Sequence, residues 1–538
     1  MSDLLRASRL PRLVALPAVL WLVSFLVIPT TVMVVRYVDY DDVLRIVSRD
    51  ATRRVVWFSL WQAALSVALT FMVAGPVTWL IGRHSFRGRQ ALRAVTTVGF
   101  LLPSVVVGAG FIAILPPSLH NSSIAIVLAH AYFNMAVVVR VVGARLELVD
   151  QQLIDAARTL GATPARILRD IIWPLIRLAA ASAAGVVFLY CFTSFAVIRI
   201  LGGPTRNTIE SDIALRAFGI GDIAGATVLG GLQAVMILAV FLTIRRLGGR
   251  DVAQLTSGLL PRIARRTLPV HVMIAAVTTL FVVAPLVAIV WRSFHVGGVA
   301  TLSAWRSILN TGLRDSIFAS LLTAVMAGVI GVALATTVGM SIVRLEKIGR
   351  VLDVFTFLPL VISPVTLGLG LLVTFDERWF DWRAEWWFVS VVHTLVALPL
   401  VIRVLVPAWR AVPSRLHDAA ATLGATEFRR LIDIDLRQIR SAYRWSWPRA
   451  SRLARRVWGS INSFACWSRN DARCDQSSTL PDRRSHSGRG LRPLDPARAS
   501  VSCRTHHRRA NARKEHRCST SLILSLIATG IAFSTTYD

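Results

Sequence analysis

The sequence predicts an all-α polytopic membrane protein, a tandem parallel repeat of one six-span unit whose second copy lacks its last two spans. Three observations carry this. Of 538 residues, 54% are hydrophobic and 17% charged, with a mean hydropathy of +0.58, where a soluble domain carries about a quarter charged residues. Apolar runs of about 20 residues, the length that crosses the hydrocarbon core, recur along the chain. A nine-residue motif also returns, in register, 263 residues later. Together these exclude most soluble-enzyme readings.

Ten runs read as spans: 13–35, 55–81, 92–115, 123–143, 176–201, 224–247, 270–292, 316–342, 351–374 and 387–407. The first is too long for the apolar core of a signal peptide and reads as a retained anchor. Arginines mark one side of the membrane. Arg6, Arg9 and Arg12 precede the first span, and Arg83, Arg87, Arg89 and Arg93 fill the second-to-third loop. Arg245, Arg246, Arg250, Arg262, Arg265 and Arg266 fill the sixth-to-seventh. The intervening loops are neutral, mixed or acidic. The positive-inside rule therefore predicts a multi-pass protein of the plasma membrane with a cytoplasmic N-terminus.

The repeat is long. Asp155-Ala-Ala-Arg-Thr-Leu-Gly-Ala-Thr163 returns as Asp418-Ala-Ala-Ala-Thr-Leu-Gly-Ala-Thr426, and the same offset pairs His130 with His393, Arg140 with Arg403 and Asp170 with Asp433. A gap-free register of this length indicates duplication. The predicted organisation is a first half over 1–247, with a hydrophilic loop at about 144–175, and a basic linker over 248–269. An incomplete second half follows over 270–442, with its loop at about 408–442, and then a tail over 443–538. Six spans separate the two loops, so both face the same side.

Each loop suits a short helix, a glycine turn and a second short helix. Asp155 places an acid near a positive helix start, Gly161 can take the left-handed conformation that ends a helix, and Thr163-Pro164 reads as an N-cap followed by proline at the first helical position. Asp418, Gly424 and Thr426 repeat this, with Glu427 replacing proline. The small Ala156, Ala157, Ala419 and Ala420 let another protein approach closely.

These residues resemble the "EAA" loop of permease subunits of binding-protein-dependent ABC importers. Asp155-Ala156-Ala157 with Gly161, and Asp418-Ala419-Ala420 with Gly424, keep the pattern with aspartate for glutamate. The segment from Leu201 to Glu210 further resembles an outer loop of the fused permeases for ferric iron and thiamine. The resemblance covers roughly residues 10–442. It implies a transport subunit whose two loops couple to cytoplasmic ATP-binding subunits, two in number, with substrate delivered by an extracytoplasmic binding protein. It implies ferric iron as substrate, with thiamine as the alternative. No phosphate-binding Gly-x-x-x-x-Gly-Lys-Ser/Thr loop is present in the sequence, so ATP is expected on the partner and no cofactor on this chain. A secondary carrier without an ATPase is the reading from a different class.

Polar and helix-breaking residues inside the spans are the remaining candidates. His130, with Asn134 one turn on, and His393 read first as hydrogen-bonding groups that order the bundle and second as pathway residues. Pro103 and Gly108, and Pro364 and Gly368, mark breaks in the third span of each half, either flanking the pathway or allowing close packing.

The tail is a different text. It holds 18 Lys+Arg against 6 Asp+Glu, and four of the five cysteines (Cys466, Cys474, Cys503, Cys518). Their spacings match no zinc module, so no metal is expected, and the arginines form no stripe, so no nucleic acid is expected as partner. The duplication predicts apolar spans here, yet Arg444-Trp-Ser-Trp-Pro-Arg-Ala-Ser451 stands instead. Out-of-frame translation from about residue 443 accounts for a correct length with the wrong composition. Gene sequencing tests it, since absence of an apolar span in either other frame would dispose of it.

Overall fold

The structure is a computed structural model. It describes residues 10–438 except 204, 248–260, 262, 264, 297–298, 307–310, 357 and 376–384. The tail expected at 443–538, and most of the linker, lie outside the described residues.

Those residues form helices and one two-residue hairpin, His295–Val296 with Val299–Ala300. The first half comprises α1 (Leu10–Leu22), α2 (Ile28–Tyr37), α3 (Tyr40–Ser48), α4 (Asp50–Arg83), α5 (Arg89–Leu101), α6 (Ser104–Ile114), α7 (Ser123–Glu147), α8 (Gln151–Thr159), α9 (Pro164–Ile167), α10 (Trp173–Phe192), α11 (Ala196–Leu201), α12 (Ile209–Ala214) and α13 (Ile223–Leu247). After the linker come α14 (Leu268–Ser293), α15 (Ser303–Arg306), α16 (Thr311–Arg344), α17 (Glu346–Phe355), α18 (Leu358–Val361), α19 (Pro364–Thr374), α20 (Trp386–Arg410), α21 (Ser414–Thr422) and α22 (Glu427–Arg430). Helices α20, α21 and α22 begin 263 residues after α7, α8 and α9 and have the same lengths. Helices α4 and α16 are both 34 residues long and both end in arginine. At 1.5 Å per residue each runs about 50 Å, so it crosses the hydrocarbon and projects beyond it.

Eight helices among the described residues are long and apolar enough to cross a membrane, or nine if one bent pair counts as a span. Ten were expected, and proline explains the difference. The run 92–115 is broken between α5 and α6, which meet at 101°. Pro103 cannot donate the helical N–H, and it pushes Leu102 into an extended conformation. Across 351–374, Pro359 and Pro364 sit among three short helices instead of one span. The run expected at 176–201 starts earlier, as a span over Pro164–Phe192, and stops at a turn before α11.

In each half the 34-residue helix packs along the 25-residue helix, α4 on α7 and α16 on α20. The first span of each half crosses to the other half. Ala15, Ala18, Leu22 and Leu26 lie in the core of the second half, while Val282 of α14 lies in the core of the first. Glycines make the crossings close. A Cβ on Gly110 of α6 would meet the Pro285 Cβ of α14 at 3.0 Å, and one on Gly370 of α19 would meet the Met33 Sδ of α2 at 2.9 Å. Tyr132 of α7 also donates its hydroxyl to the Val282 carbonyl at 3.1 Å. The halves are thus interlocked by burial of apolar surface and by close helix approach.

Candidate functional site

The two motif loops share one plan, with the same glycine turn and the same threonine cap, but their first helices start differently: Asp150 caps α8, while α21 starts behind Pro413 with no side-chain cap. In the first, Asp150 caps α8 by accepting from the Gln152 N–H at 2.9 Å. The helix therefore starts four residues ahead of Asp155, which lies on its exposed flank and accepts from Gln151 Nε2 at 3.0 Å and Arg158 Nη1 at 3.2 Å. Asp155 and its counterpart Asp418 are mid-helix residues, not helix starts. At the other end, Gly161 sits at φ +79°. Its N–H reaches the Arg158 carbonyl at 2.9 Å, and the Ala162 N–H reaches Ala157 at 3.0 Å. This double closure takes up the last carbonyls of the helix. The second loop matches it: Gly424 has φ +72°, its N–H reaches Ala421 at 3.0 Å, and the Ala425 N–H reaches Ala420 at 3.0 Å. Thr163 then caps α9 at the Arg166 N–H, and Thr426 caps α22 at Arg429.

Only one alanine of each pair faces solvent. Ala156 and Ala419 are exposed, while Ala157 and Ala420 are half-buried. Beside them stand two residues that sequence reasoning left unused. Leu160 is 88% exposed and Leu423 is 87% exposed, each held out by the turn immediately before the glycine. The identical leucine in both motif copies was the available signal.

The loops are fastened to the bundle by different chemistry. In the first half, Arg83 at the end of α4 donates to the Val149 carbonyl at 2.7 Å and to Gln151 Oε1 at 2.6 Å, clamping the entry to α8. Ile154, Ile167 and Ile172 are buried beneath the loop. In the second half, Arg344 at the end of α16 pairs with Asp435, whose other oxygen lies 3.0 Å from His417 Nε2. His417 and Asp435 occupy the positions of Ile154 and Ile172 one repeat later. Burial pushes the Asp435 carboxyl above the usual carboxylate range, against the pull of Arg344 and His417.

Inside the first half, His130 is buried, with Nδ1 3.1 Å from Ser66 Oγ. Asn134 donates to the His130 carbonyl at 3.0 Å and contacts Cys191 Sγ at 3.4 Å, so the group ties α4, α7 and α10 together. His393 is buried on α20. Pro103 and Pro364 lie at the starts of α6 and α19. Gly108 faces Ile200, with a would-be Cβ at 3.0 Å, and Gly368 is buried.

The segment Leu201–Glu210, expected as an outer loop, ends inside the bundle. Glu210, at 0% exposure, accepts from Gln233 Nε2 of α13 at 2.7 Å, and its two oxygens lie 2.8 Å from Ser363 Oγ. Ser363 is the N-cap of α19. A buried carboxylate of the first half thus sits at the start of a second-half helix, beside the midpoint of α13. Reading the segment by loop position alone missed it, although an acid in an apolar stretch before a span was visible. Just beyond it, Arg216 bridges Asp212 at 2.8 Å and Asp222 at 3.1 Å.

Residues 74–248 match the family described as "Binding-protein-dependent transport system inner membrane component". The chain is similar to the thiamine transport system permease protein ThiP of Brucella abortus (strain 2308), 27% identical over 437 residues, or 76% of this chain and 79% of that protein. It is similar at the same identity and coverage to the ThiP of Escherichia coli K12. A probable ABC transporter permease protein of Sinorhizobium fredii is 23% identical over 435 residues, 72% of this chain and 75% of that protein. Two of these names specify thiamine and none specifies iron, so the ferric-iron expectation gains no support.

Proposed function

We propose that this chain, a permease subunit of the ABC importer kind, forms the path for thiamine and is driven through its two motif loops by ATP-binding subunits. The observation that carries the coupling part is the pair of superimposable helix–glycine–helix loops, each presenting an exposed leucine and an exposed alanine. Each is fixed rigidly to the end of a 34-residue helix by an arginine. A lever must be stiff at its root and exposed at its tip, and both loops meet this need. A partner that closes on them would move α4 and α16 as rigid bodies.

The substrate part rests on the names of the relatives alone. The other partners follow from the family: a binding protein on the far side of the membrane delivers the solute, and this chain hydrolyses nothing itself. The cytoplasmic placement of the N-terminus and of both loops rests on the arginine distribution. Two readouts test the proposal. Reconstituted with its ATP-binding and substrate-binding partners, the chain should support ATP-dependent uptake of thiamine and not of ferric iron. The purified chain should also retain the ATP-binding subunit. Iron uptake without thiamine uptake would reject the substrate, and transport without any ATPase would reject the class.

A further inference from the structure

A cavity of about 1060 Å³ lies between the end of α4, the start of α5 and the first three turns of α14. Its wall is apolar, built from Leu80, Leu92, Val95, Val272 and Ala275, and its mouth carries Arg87 and His271. Lining residues run from Leu268 to Thr279 along α14, a depth of about 16 Å at 1.5 Å per residue. The cavity is therefore a slot along the first three turns of α14, basic at one end and mainly apolar along its length.

Its level is fixed by neighbouring contacts. Arg83, one turn from the slot, clamps the root of the first motif loop, so the mouth opens on the same face as that loop. The Ser85 N–H donates to the Pro261 carbonyl at 2.9 Å, pinning the end of the linker beside the mouth, and the exposed Arg265 and Arg266 lie on the short turn between the lining residues Ile263 and Leu268. Glu147, beside the start of α5, is already engaged by Arg89 at 2.9 Å and by Arg93. On the outer side, Leu268, Val272 and Met273 of α14 are about half exposed, so the slot is continuous with a surface turned toward lipid.

We infer that this slot is a binding site for an anionic phospholipid, with the phosphate at Arg87, Arg265 and Arg266 and one acyl chain lying along α14. Charge complementarity selects the headgroup, because basic residues at this level attract anionic lipid with about a fivefold gain each. The apolar depth selects a lipid over a free anion. The bound lipid would fill the seam where α14, which belongs to the second half, crosses onto α5 of the first. The site is independent of the transported solute, so its failure and that of the proposed function are separately readable.

The test uses the full chain in zwitterionic nanodiscs, titrated with phosphatidylglycerol or phosphatidylcholine and read by native mass spectrometry. Phosphatidylglycerol should be retained at least fivefold over phosphatidylcholine. Arg87→Gln with Arg265→Gln should remove most of that preference, and Val272→Trp, at an exposed position that folding tolerates, should block occupancy. The proposal is overturned if the two lipids bind equally, if the arginine variants bind like the parent, or if inorganic phosphate displaces the lipid.

Discussion

Ser363 Oγ lies 2.8 Å from each carboxylate oxygen of Glu210, so a residue of the first half completes the start of a helix in the second. The backbone N–H of Val365 points to the same carboxylate at 3.4 Å. Helix N-termini favour negative charge, and here that preference joins two halves of one chain across a dry junction. Glu210→Ala should cost about 2–3 kcal/mol, because Gln233, Ser363 and Val365 lose a buried acceptor together. Glu210→Gln keeps an acceptor oxygen and should cost about 1 kcal/mol. Thermal unfolding of the purified chain in detergent reads both. Equal losses would mean that a single acceptor oxygen cannot replace the carboxylate.

The glycine turns give a second test. Nothing lies within 4 Å of a Cβ placed on Gly161 or Gly424, so the demand there is conformational and not steric. Alanine at either position should cost about 1 kcal/mol from the left-handed backbone, while asparagine should be nearly neutral. Proline cannot adopt this φ and removes an N–H that closes the helix. Gly161→Pro combined with Gly424→Pro should therefore abolish co-purification of the ATP-binding subunit. Retained association and transport would show that the loops do not couple.

Leu160 and Leu423 separate binding from folding. Both side chains are almost fully exposed, so Leu160→Asp and Leu423→Asp should leave the unfolding midpoint within about 0.5 kcal/mol of the parent. A buried apolar anchor in an interface is worth about 2 kcal/mol or more on truncation, so association with the ATP-binding subunit should weaken at least thirtyfold for the pair. A loss of stability parallel to the loss of binding would assign the leucines to the bundle.

Much of this architecture is legible in the sequence because it rests on local chemistry. Apolar length marks α4, α7, α14, α16 and α20, and glycine followed by a threonine cap writes the turn of each motif loop. The duplication is visible because a one-residue slip would destroy it. The first motif helix starts earlier than expected, capped by Asp150 five residues upstream of the matched pattern, and the second starts at the equivalent position behind Pro413 without a side-chain cap. What stayed hidden depends on contacts far apart in the chain. That Glu210 turns inward to Ser363, or that α14 leaves its own half for Tyr132 of α7, is set by packing between residues 150 or more apart. The broken third spans are intermediate: Pro103, Pro359 and Pro364 announce a break, but proline alone does not give the 101° angle.

The unequal roots of the two loops supply the last test. One repeat after Ile154 and Ile172, the second half carries His417 and Asp435, and the pair sits against Arg344. Asp435→Ala removes the partner of a largely enclosed arginine and should cost about 2 kcal/mol, below the figure for fully buried pairs because Arg344 keeps some solvent contact. The pH dependence has a definite sign. Burial raises the Asp435 pKa in the folded chain, so the native state holds this proton more tightly than the unfolded state does. That contribution to stability is present below the unfolded value and lost as pH rises through the folded one. Relative to Asp435→Asn, which does not titrate, the parent should therefore gain stability as pH is lowered through the raised folded value toward the ordinary carboxylate range. Unfolding midpoints of the two proteins, compared across that range, decide it. A parent that loses ground to the asparagine variant on acidification would show that the ion pair with Arg344 outweighs burial and holds Asp435 charged.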